Sequence, residues 1–216
     1  MHKDINTYYL DNSKVIYTTI KELEMKNILK KLDENDYFTL YELNQNYLVP
    51  LIWSDKNYLY FQKNNPVKYN LNINIKEKTK IEFHQAYNSQ WKLYLEPNPD
   101  NSWCKPIEYY KNTRTTECEH AQKTFDAGDL TYLLAKPVFE DTHTMVEGYA
   151  NSWTIDPEYI KANYPKEFYK ESRDGSIELG MVLYFKPQSY FYIGLIISGL
   201  AFIWSMIYIV RDMRRR

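Results

Sequence analysis

The chain has 216 residues, with 27 basic and 28 acidic side chains and a net charge of −1. Charges this evenly balanced offer no overall field for nucleic acid. The length accommodates one domain of about 180 residues with a sizeable core, followed by an anchor.

The first stretch, MHKDINTYYLDNSKVIYTT, has no apolar core segment and no small-residue cleavage site, so it does not read as a signal peptide. Thr19 to Glu22 form a capping box, and Met25, Ile28, Leu29 and Leu32 fall on one helical stripe. This predicts an N-terminal segment over 1–36, with a short helix at about 20–32 closed by the polar run DEND at 33–36.

From Tyr37 the period changes to two. Strands are expected at 37–43, 47–53, 58–61, 68–75, 79–87 and 90–96, and the KYNLNINI run at 68–75 alternates almost strictly. A looser stretch follows to about Asp129, and strands resume at 131–137, 144–155 and 177–187. Asp156-Pro157 opens a short helix between the last two, with Asp as cap and Pro in the first turn. Many short strands with few helices predict a mainly β fold, a jelly-roll-like β-sandwich over 37–187.

From Ser189 to Val210 there are 22 residues without a charge. As a helix they are roughly 33 Å long, enough for a hydrocarbon core of about 30 Å. Tyr190, Phe191, Tyr192, Trp204 and Tyr208 sit near the two ends, where interfacial aromatics belong. A transmembrane helix is expected over 188–210, with a basic tail at 211–216. Four of the six arginines are Arg211, Arg214, Arg215 and Arg216, so the positive-inside rule places the tail in the cytoplasm and the domain outside the cell membrane. A folded domain needs an upstream export signal to reach that side. The expectation is therefore that the chain is the last piece of a longer or split multi-pass protein. The competing expectation is a tail-anchored protein that breaks the charge rule. Within the span, Gly194 and Ser198 form a small-xxx-small pair on which a neighbouring helix could pack.

Three stretches occur in order: FHQAYNSQWKLYLEP (83–97), VEGYANSWTID (146–156) and VLYFKPQSYFYIGLIISGL (182–200). Together they resemble the C-terminal part of bacterial multi-pass membrane proteins of the YfhO and arabinofuranosyltransferase-like type, which are similar to GT-C glycosyltransferases. Ser152 and the Asn88-Ser89-Gln90 turn depart from that pattern. The resemblance implies an external β-rich domain beside a last span, further transmembrane helices as partners, and a polyprenyl-linked sugar as donor. It also implies that the catalytic acid lies in an early external loop, so no catalytic residue is expected here.

Trp91, Trp103 and Trp153, with Tyr87 and Tyr149, suit stacking on sugar rings, and Asn151 suits binding a hydroxyl. The competing reading is that these aromatics are sandwich core. Cys104 and Cys118 would close a loop of 15 residues as a disulfide; the alternative is two free buried thiols. The histidines lack metal-ligand spacing, so neither a metal nor a cofactor is expected. Two functional readings stand: an extracytoplasmic accessory domain that positions glycan or lipid-linked sugar on the bilayer, or a membrane-anchored structural or interaction module.

Overall fold

The computed structural model describes residues 20–35, 37–43, 49–109, 114–121 and 127–215. The chain forms two compact units, one running to Val49 with residues 110–112, the other containing the rest.

In the first unit a helix, α1, covers 20–25, and strands β1 (Leu29–Glu34) and β2 (Thr39–Leu43) form an antiparallel hairpin. The helix is shorter than the expected 20–32. Asn27 adopts a left-handed conformation (φ 55°), its N–H bonds to Glu24 O, and the Ile28 N–H reaches back to Leu23 O. That is a Schellman termination, which leaves Leu29 to start a strand. The hairpin also moves 37–43 out of the sandwich, which begins at Pro50. Thr19, the expected cap, lies outside the described residues.

The second unit is a β-sandwich. Its smaller sheet runs in the order β10 (Thr144–Val146), β11 (Ala150–Ile155), β6 (Thr79–Phe83), β3 (Ile52–Ser54). The larger runs β12 (Tyr169–Glu171), β13 (Ile177–Phe185), β5 (Lys68–Ile75), β4 (Leu59–Asn65), β9 (Thr115–Cys118), β8 (Pro106–Tyr109). Strand β7 (Trp91–Glu96) pairs with the second half of β13, on the side where β12 pairs with the first half. All pairings are antiparallel except β4 with β9.

Strict alternation in β5 splits its side chains between two faces. Tyr69, Leu71, Ile73 and Ile75 join Leu59, Phe61, Leu179, Met181 and Leu183 from the same sheet, and Ile52, Ile81, Phe83, Trp153 and Ile155 from the smaller one, in a single buried core. The other face of β5 carries Lys68, Asn70, Asn72 and Asn74. Helix α2 (Pro157–Asn163) starts where the sequence predicts: the Asp156 carboxylate accepts from the N–H groups of Glu158 and Tyr159, and Pro157 occupies the first turn.

Several expected strands change. Residues 131–137 are not a strand; Ala127–Leu133 wind as 3-10 turns, pinned by a buried Lys68–Asp129 ion pair at 2.7 Å. The 144–155 run is broken at Glu147 and Gly148, both at positive φ, into the β10–β11 hairpin. Strands β8 and β9 lie in the stretch that shows no pattern; β9 is held by β4 and by the disulfide that joins Cys104 to Cys118.

Strand β13 leads almost directly into α3 (Pro187–Arg215), an apolar helix long enough to cross a membrane. The expected tail is its last turn: Arg211, Arg214 and Arg215 are helical.

The disulfide ties the loop from Pro97 to Lys105 onto the larger sheet. Cys104→Ser should lower stability by about 3 kcal/mol, the closure entropy of a 15-residue loop. Chemical denaturation and limited proteolysis of the loop check this; an unchanged midpoint would mean that packing alone holds the loop.

Candidate functional site

The polar face of the larger sheet is the unusual surface. Burial of both faces of a sheet demands either apolar residues or fully paired polar ones. Here the second solution operates. Asn64 Nδ2 donates to Asn70 Oδ1 (2.8 Å), Asn72 Nδ2 to Glu178 Oε1 (3.0 Å), and Gln62 Nε2 to Glu119 O (2.7 Å). Asn72 is 2% exposed, so this layer is interior in all but composition.

Two pieces of chain cover part of the face. One is the loop Pro97–Lys105. It can approach because Gly180 has no side chain: a Cβ there would lie 3.3 Å from Pro99 Cα. The other is the 3-10 stretch Ala127–Leu133, whose Tyr132 packs on Tyr94 and Tyr184 with ring centroids 4.8 and 4.7 Å apart.

Between them lies a cleft of about 310 Å³. Half-buried Trp103 and buried Tyr132 supply aromatic surface; Asn64, Asn70, Glu96 and Asp100 supply hydrogen-bonding groups. The Tyr132 hydroxyl donates to Glu96 Oε1 (2.9 Å). The Asn64 amide oxygen is buried and has no hydrogen-bond partner among the described residues. The Ser102 hydroxyl and N–H hold the Asp100 carboxyl below its usual range. Lys68 lines the cleft too, but its ammonium is already matched by Asp129, which has no exposed surface.

The cleft shares a wall with the root of α3. Ser189 Oγ donates to Asp129 O (3.1 Å) and lies 3.2 Å from the Tyr184 hydroxyl. The stretch that closes one side of the cleft with Tyr132 is thus the one that seats the helix with Asp129.

The six residues singled out for sugar binding do not converge. Trp103 alone lines the cleft. Trp91 and Trp153 are core, at 4% and 1% exposure, which corrects their assignment to a binding surface. Trp91 packs edge-on against Phe83 at 4.8 Å, and Trp153 stacks on His143 at 4.2 Å, so neither offers a ring face. Asn151 is fully buried. Its Oδ1 accepts from the Asn88 N–H (3.1 Å) and pairs with His143 Nε2 (3.1 Å); its Nδ2 donates to Gln85 O and Ala86 O. It ties the 84–90 loop to His143 and has no capacity left for a ligand. Tyr87 is half-buried against His143, and its N–H donates to the carbonyl of half-exposed Tyr149. Neither lines the cleft. Gly194 and Ser198 lie on the bare length of α3; nothing lies within 4 Å of a Cβ built on Gly194.

Sequence reasoning missed Asn64, Glu96, Asp100, Lys68 and Tyr132. The available signal was the polar half of KYNLNINI, too rich in Asn for an ordinary solvent face. No group of three His, Cys, Asp or Glu side chains suited to a metal occurs among the described residues. No protein family, curated protein or solved structure matches this chain.

Two measurements follow from the Asn151 knot. Asn151→Ala breaks four hydrogen bonds around a fully buried group and should cost about 2 kcal/mol, read as a lowered denaturation midpoint. A loss below a few tenths would mean that the loops are held otherwise. Burial pushes the His143 imidazole below its ordinary value, against the Asn151 hydrogen bond, which favours the charged ring. A histidine depressed in the folded state binds more protons when unfolded, so its stability contribution is intact above the ordinary value of about 6.5 and is lost as pH falls below it. The melting temperature of His143→Gln should therefore depend less steeply on pH between 7 and 5 than that of the parent; parallel curves would contradict this.

Proposed function

We propose that this chain is a membrane-anchored, extracytoplasmic domain that holds the sugar of a glycan or of a polyprenyl-linked donor in the cleft beside Trp103. The observation that carries the reading is the shared wall: the stretch that lines the cleft with Tyr132 is bonded through Asp129 to Ser189 at the root of α3. A ligand in the cleft is thereby held at a set height above the bilayer.

The lining suits a hydroxyl-rich, uncharged ring. An indole and a phenol supply flat apolar contact, while carboxamides and carboxylates take hydroxyl protons. The Asn64 oxygen would gain a donor it lacks. The disulfide suits an oxidising compartment, and the arginines at the far end of α3 suit a cytoplasmic C-terminus. The resemblance to GT-C-like polytopic proteins supports the wider reading: further spans supply catalysis, and this chain presents substrate.

The test uses the full chain in nanodiscs, with a panel of neutral oligosaccharides and polyprenyl-phosphate sugars. Trp103→Ala should weaken binding at least about ten-fold, the equivalent of roughly 1.4 kcal/mol, while the melting temperature stays within a degree or two of the parent. Trp53→Ala, on the smaller sheet, should leave affinity unchanged. A parent chain that binds none of the panel would remove the glycan reading and leave the anchored interaction module.

A further inference from the structure

The length of α3 carries a consequence for the sandwich itself. Buried or half-buried residues occur on the helix as far as Tyr192 and Ile193, and every described residue from Gly194 onward is exposed. Between Gly194 and Val210 lie 17 uncharged residues. They reach about 26 Å, short of a hydrocarbon core of about 30 Å. The next residue toward the C-terminus is Arg211, followed by Asp212, so the deficit is costly to make up at that end. It is made up at the other end, by about three residues, Phe191 to Ile193. The part of the domain packed around those residues is then at the boundary between headgroups and acyl chains.

That part is the stretch Ala127–Leu133, bonded to Ser189, and an unusual residue follows it. Leu134 is 89% exposed, the most exposed leucine among the described residues. A lone exposed leucine is ordinary on a water-facing surface. This one follows directly on the stretch that bonds to Ser189, and at the helix root Tyr190 and Phe191 are also more than half exposed. The backbone is prepared for exclusion of water: the N–H groups of Leu134 and Ala135 both bond to Thr131 O, at 3.1 and 3.0 Å. Exposed Lys136 follows two residues on.

We infer that Leu134, with Tyr190 and Phe191, forms a collar that seats the base of the sandwich in the outer lipid boundary. The partner is the bilayer, contacted by a second element besides the helix. This rests on the reading of α3 as a span, and the test separates the two.

The full chain, with its native disulfide oxidised, is labelled with the fluorophore NBD at one introduced cysteine and reconstituted in phosphatidylethanolamine/phosphatidylglycerol vesicles. Three sites are compared: Leu134→Cys; Ile203→Cys in the middle of the helix; and Arg173→Cys in the turn before β13, at the opposite end of that strand from α3. NBD at 134 should emit to the blue of the label at 173 and be quenched by lipids carrying a nitroxide near the headgroup. The label at 203 should be quenched by deep nitroxides. A lipid-like signal at 203 with a water-like signal at 134 would overturn the collar alone. Water-like signals at both would overturn the span and the collar together.

Discussion

A carboxylate with no exposed surface has to be paired, and the pairing of Asp129 with Lys68 organises one side of this molecule. The two groups come from segments 61 residues apart. Breaking a buried pair of this kind by removing one partner typically costs about 3–5 kcal/mol, because the other charge stays behind undischarged. The pair brings Ala127–Leu133 onto a sheet face that would otherwise be wet. Tyr132 then covers Tyr94 and Tyr184, a second small core opposite the main one. The same stretch forms a wall of the cleft and accepts the hydroxyl of Ser189. Cleft, sheet and helix root share one electrostatic contact.

A different device works at the end of the sandwich. Asn151 ties the 84–90 loop to the β10–β11 hairpin, and Gln90 ties that loop to Lys186 at the strand-to-helix junction. These contacts join parts of three stretches, 83–97, 146–156 and 182–200. A buried amide, a stacked imidazole and indole, and a short strand-to-helix joint are linked through the 84–90 loop.

How far the sequence discloses this depends on whether the determinant is local. The alternation in KYNLNINI, the Asp156 cap and the uncharged run from Ser189 are set by neighbours in the chain, and each element lies where the pattern puts it. The helix over 20–25 ends at Asn27, a residue type that tolerates left-handed backbone, so its shorter length was also readable. Residues 131–137 were not: the Tyr-Leu-Leu run looks like a strand, and only a lysine far upstream makes it wind. Among the tryptophans, residue type says nothing of the difference between Trp91, set inward by β13 pairing, and Trp103, held at a cleft by a disulfide-bonded loop. The cleft is assembled from β4, β5, β7, β13, the 97–105 loop and Tyr132, segments far apart in the chain, so no local pattern announces it.

The continuity of β13 with α3 also bears on how the domain would respond to a mechanical load. Force applied along the helix enters β13 nearly end-on. There Ile177 to Tyr184 are paired with β5 on one side, and Gly180 to Phe185 with β7 on the other. Antiparallel ladder bonds lie across the strand direction, so a pull along β13 stresses them all at once, in shear, and none can open before the rest. A strand at the sheet edge, such as β3 or β10, would peel one bond at a time. The attachment point is thus the strand of the sandwich best fitted to resist extraction.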